Sequence, residues 1–101
     1  MKSICLITAL ILLLAAPLSI LAADEGADVY KAKCTMCHGE KGEGKPAMKM
    51  PAVSGTKLTA EQIIEYITKG QTGKRVPHNN PVNGVNADQA KVVADYVKTL
   101  K

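Results

Sequence analysis

The pentapeptide Cys34-Thr35-Met36-Cys37-His38 restricts this chain more than any other stretch of it. Two thiols three positions apart lie on one turn of a helix and face the same side. The next residue then carries an imidazole alongside them. C-x-x-C-H is the spacing at which both thiols can bond the vinyl groups of a porphyrin while the imidazole reaches its iron, the attachment pattern of haem c. A fold built around it must leave room for a porphyrin beside that turn. Two other uses of the cysteines stay open from spacing alone. They can close a disulfide in an oxidising compartment, or form half of a zinc site. A four-ligand zinc site needs a second pair of ligands, for which the rest of the chain offers His78.

The N-terminus reads as an export signal. Lys2 gives a short positive region, Ile4 to Ala16 is apolar apart from Thr8, and Ala22-Ala23 is a small-residue exit. We expect residues 1–23 to be a signal peptide cleaved after Ala22 or Ala23, and residues 24–101 to form one domain. Cys5, at the start of the apolar run, would be discarded with the signal. An uncleaved anchor is the rival reading, and it is the only way this sequence suggests to hold the protein at a membrane. Lys2 is one of 13 basic residues and all 9 acids follow it, so cleavage lowers the net charge from +4 to +3. A mild positive charge with scattered lysines and three tyrosines favours acidic protein partners over nucleic acid. The chain has no Phe or Trp, and so short a domain ordinarily needs a metal, cofactor or disulfide to stabilise it.

Three helices are legible in residues 24–101. The first is expected from about Gly26 to Thr35, with Val29, Ala32 and the Lys33 stem turned inward beside Tyr30. The second starts at Thr59, whose spacing to Gln62 matches a capping box, and stops at Gly70. The third opens at Asn86, with Gln89 three positions on. Its Val92, Val93, Tyr96, Val97 and Leu100 mark one buried face. The glycine- and proline-bearing stretches 39–56 and 71–85 read as irregular. Structureless connections of that length are uncommon in a small domain, unless they wrap a bulky cofactor.

On these residues the chain resembles the class I cytochromes c over nearly all of Ala23–Lys101. Gly26 and Tyr30 match the family's N-terminal Gly and aromatic, and Tyr96 matches the aromatic of the last helix. The Cys34–His38 motif matches the attachment site, and Pro51-Ala52-Val53-Ser54-Gly55 is similar to the family's Pro-x-apolar-x-Gly segment. The resemblance implies an all-α fold of three or four helices, with loops around one covalently bound haem c. It implies Cys34 and Cys37 as thioether anchors and His38 as the proximal iron ligand. It also implies Pro51 as the carbonyl that receives the second N–H of His38.

The departure lies on the other side of the iron. Where the family usually has Met-Pro, this sequence reads Val76-Pro77-His78, and no methionine follows Met50. Three arrangements remain: His78 as sixth ligand, Met48 or Met50 in its place, or an open position. Bis-imidazole ligation lowers the reduction potential relative to methionine ligation, and an open position admits small ligands. The expected function is a non-enzymatic one-electron carrier between redox proteins in the periplasm, with no small-molecule substrate. Lys31, Lys33, Lys45, Lys49, Lys74 and Arg75 would ring the haem edge and steer an acidic partner. The alternatives are a ligand-binding haem protein, either a sensor or a minor peroxidase, and a subunit of a larger redox complex.

Overall fold

A computed structural model describes residues 18–101, with side-chain burial from Ala23 onward. The helices are α1 (Leu18–Lys33), α2 (Thr35–His38), α3 (Ala60–Lys69) and α4 (Ala87–Thr99), with a 3₁₀ turn at Pro46–Met48. Among the described residues there is no strand, and a lone antiparallel bridge pairs Lys45 with Met50. The expected all-α class holds.

Residues 1–17, most of the expected signal segment, lie outside the described residues. α1 nevertheless begins earlier than its amphipathic pattern suggests. It runs as one helix from Leu18 across Ala22 and Ala23, the two expected cleavage positions. It also ends before Thr35. Val29 and Tyr30 are buried as expected, whereas Ala32 and Lys33 are exposed. The inward face stops there because Cys34 breaks the helix and Thr35 starts a separate turn. No helix among the described residues is long and apolar enough to cross a membrane.

α3 and α4 begin as their sequences dictate. The Thr59 hydroxyl accepts the Gln62 N–H at 3.1 Å, and the Gln62 side chain accepts the Thr59 N–H at 2.9 Å. Asn86 and Gln89 repeat this reciprocal cap on α4 at 2.8 and 2.9 Å. Each closes two amide donors that a helix start leaves open. α3 ends at Gly70, whose φ of 70° is costly for any residue with a Cβ.

The core is small. Val29 and Tyr30 of α1, Ile63 and Ile67 of α3, and Ala90, Val93, Ala94 and Val97 of α4 are its buried members. Gly26 lets α1 cross α4 closely: a Cβ there would run into the Val92 carbonyl and lie 3.0 Å from the Tyr96 Cβ. One turn on, the Tyr30 and Tyr96 rings meet at 5.4 Å between centroids and 55° between planes, within the favoured range for aromatic pairs. Ala90 and Ala94 of α4 are fully buried in this core. The apolar residues the helices leave aside line a cavity.

Candidate haem-binding site

That cavity has a volume of about 360 Å³. Its floor is Ile63, Ile67, Val93 and Val97, and its walls come from the two irregular segments: Met50 to Val53 on one side, Lys74 to His78 on the other. A smaller extension of about 60 Å³ shares Cys34, His38 and His78 and reaches Val82 and Val85. Cys34 and His38 enter from α2 and its approach.

Local hydrogen bonds fix His38. The Gly44 N–H donates to the His38 carbonyl at 2.7 Å. Gly44 fits against the Met50–Ala52 backbone, where a Cβ would come within 2.7 Å of the Met50 oxygen and the Ala52 nitrogen. This brings the Pro51 carbonyl to 2.8 Å from His38 Nδ1. A carbonyl only accepts, so Nδ1 carries the proton and the Nε2 lone pair is left free.

His78 faces His38 across the cavity, with ring centroids 5.8 Å apart and planes 32° from parallel. Its backbone is held at both ends: the His78 carbonyl accepts the Gln71 N–H at 2.7 Å, and its N–H donates to the Arg75 carbonyl at 2.8 Å. Gly70 permits this return, since the Asn80 backbone passes 2.5–2.7 Å from where its Cβ would be. The ring is half-buried, and its Nδ1 is a buried polar atom with no hydrogen-bond partner. Burial, and then the neighbouring His38, lower its pKa from the usual imidazole value, so the ring is held neutral.

The remaining expected residues divide. Cys34 lines the cavity, and burial, then the nearby Cys37 thiol, push its pKa up to about 11. Cys37 is half-buried and lies outside the cavity lining, and neither cysteine is in a disulfide. Met50 lines the cavity on the Pro51 side. Met48, 56% exposed, does not. Of the six cations expected around the site, Lys74 and Arg75 line the main cavity and Lys33 its extension. Lys31 and Lys49 are exposed and Lys45 half-buried, and none of the three lines either cavity. Among the described residues, no group of three or more His, Cys, Asp and Glu side chains converges in the manner of a zinc site.

Residues 21–97 match the family described as cytochrome c oxidase, cbb3-type, subunit III. The chain belongs to that family of c-type cytochrome domains. It is also 35% identical over 74 residues to cytochrome c-550 of Bacillus subtilis, an alignment covering 73% of this chain and 56% of that protein. The chain thus spans little more than half the length of this curated relative. No solved structure matches it. Cytochrome c domains bind haem and carry electrons, and the all-α arrangement found here is that of a small cytochrome c.

For two residues of the site the sequence points to helix packing alone. Tyr66 reads as part of the amphipathic face of α3, yet it lines the cavity. Tyr30, expected as helix packing, also sends its hydroxyl to the Gly39 carbonyl at 2.7 Å, tying α1 to the segment leaving the C-x-x-C-H turn.

Proposed function

We propose that this chain is a monohaem c-type cytochrome that passes single electrons between redox proteins outside the cytoplasm. Cys34 and Cys37 anchor the haem through thioethers, His38 is the proximal ligand and His78 the sixth. The observation that carries this reading is the pair of imidazoles facing each other across an apolar cavity. Two rings that bind one ion from opposite sides, each through a metal–nitrogen bond of about 2 Å, have centres about 6 Å apart. The 5.8 Å separation of His38 and His78 is close to that.

The residues fit the group in other ways. The His38 Nδ1–H to Pro51 bond orients the ring and raises the basicity of Nε2. His78 is held neutral, so its lone pair is available at ordinary pH. Met50 is a poorer candidate, because its backbone is bridged to Lys45 and it directly precedes the carbonyl that holds His38. Bound haem supplies an iron that cycles between ferric and ferrous states. The chain excludes water from it with aliphatic walls and holds both imidazoles in place, which keeps rearrangement on electron transfer small. A second imidazole in place of methionine favours the ferric state and a lower potential.

The signal-like residues 1–23 support export, and the net charge of +3 that remains on residues 24–101 supports an acidic partner. The family description names an oxidase subunit, which supports a second reading as a component of a larger redox complex. Gel filtration of the exported protein separates the two: a lone carrier elutes at the mass of residues 24–101 with haem.

His78→Ala tests the ligand set. It should turn a low-spin spectrum high-spin and let carbon monoxide bind the ferrous form readily, while Met48→Ala and Met50→Ala leave the spectrum unchanged. A silent His78→Ala with a spin change in either methionine variant assigns the ligand to the 45–50 segment instead.

A further inference from the structure

The cavity walls are aliphatic and aromatic almost throughout, and no Asp or Glu lines them. The cationic side chains that line it are Lys74 and Arg75, adjacent residues on the segment leading to His78. Neither takes part in an ion pair; among the described residues, the pair that forms joins Glu65 and Lys69. Each side chain, though exposed, makes one contact within the site. Arg75 Nη1 donates to the Lys49 carbonyl at 3.0 Å, tying together the two irregular segments that wall the cavity. A guanidinium carries five N–H donors in a rigid fork, so most remain for another acceptor. Lys74 Nζ stands 5.9 Å from the centroid of the Tyr66 ring, within cation–π range, and Tyr66 is itself part of the wall.

An apolar cavity with two uncompensated cations at one rim selects an amphiphilic guest: a broad apolar body with anionic groups along one edge. Haem, with two propionate carboxylates on one side of its ring, has that form. Resting on the haem reading above, we propose that Lys74 and Arg75 bind the haem carboxylates. The basic rim thus recognises the cofactor's own acid groups. Its charge is then committed within the protein and is largely unavailable for steering a partner.

A cation beside a carboxylate keeps it ionised to lower pH. The pair should therefore hold both propionates as anions across the neutral range and offset the stabilisation that they give to ferric iron. The test is the midpoint potential of the purified holoprotein from about pH 5 to about pH 8, with no partner present. For the wild type we expect a nearly flat profile. In Lys74→Gln/Arg75→Gln the potential should be lower at the alkaline end, and should fall with rising pH as the propionates titrate. Arg75→Lys should restore much of the wild-type profile. Lys91→Gln, on the exposed side of α4, removes a charge outside the cavity and should track the wild type.

A double variant whose potential and slope match Lys91→Gln overturns the proposal. If its defect is confined to the salt-dependent rate with an acidic partner, the two cations belong to docking. Covalent haem is read beforehand from the mass of the wild-type protein. Its absence would overturn the haem reading and this one together, whereas haem present with a flat double variant overturns this one alone.

Discussion

The Tyr30 hydroxyl is buried and donates to a single backbone carbonyl, and burial, then the Cys34 thiol, push its pKa up to about 12. It therefore stays a protonated donor at every physiological pH. Tyr30→Phe keeps the ring contact with Tyr96 but strands the Gly39 carbonyl, so it should cost about 1–3 kcal/mol in guanidinium unfolding of the holoprotein with the visible spectrum unchanged. His78 gives a pH signature of the opposite kind. Its folded-state pKa lies below the ordinary 6.5, so on unfolding it takes up a proton at pH values below that figure. Its effect on stability is flat above about pH 6.5 and becomes a loss as pH falls below it. Urea midpoints of wild type and His78→Ala should therefore run parallel at neutral pH, and the wild type should fall faster on acidification. At this scale the sequence is informative about residue type and silent about convergence. The family resemblance names Pro51 and His78 as candidates to meet His38, but the local sequence does not show how the chain brings them there. That depends on where Gly44 and Gly70 allow the chain to turn back.

The helices differ in how plainly they are written. α3 and α4 could be placed to within a residue or two because each starts with a reciprocal pair, Thr59 with Gln62 and Asn86 with Gln89, that has one sensible geometry. α1 could not, since its first turns from Leu18 to Ala23 overlap the expected export signal. Ala90 and Ala94 are also missing from the expected apolar face of α4, yet both are fully buried in the core. Thr59→Ala and Asn86→Ala should each cost about 1 kcal/mol and add in the double variant, because the caps lie on separate helices; denaturant midpoints check both. Gly70→Ala should act differently. The new Cβ meets the Asn80 backbone and the φ of 70° disfavours it, so the 71–80 segment must shift and take His78 with it. The expected result is a mixed-spin spectrum larger in effect than the loss of stability, measured optically and by calorimetry on one sample.

Among the described residues eight apolar side chains are buried, and the chain has no Phe or Trp, which makes a thin interior. Protein interiors pack to the density of organic crystals, and the 360 Å³ between the two irregular segments belongs to that interior only with a guest in it. Cys34→Ala/Cys37→Ala should therefore prevent stable holoprotein from accumulating, as read by haem stain and protease resistance of the exported fraction. The connections 39–56 and 71–85 looked too long for so small a domain, and their length is what lets them form the two walls. The crossing of α1 and α4 at Gly26 also bears on timing. It joins the two ends of the described chain, so it carries the largest loop-closure cost. On the export proposed above, with the N-terminus leading, Cys34 and Cys37 would leave the pore before the residues of α4 do. Both thiols would then be open to haem attachment during a window that the arrival of the C-terminus shuts.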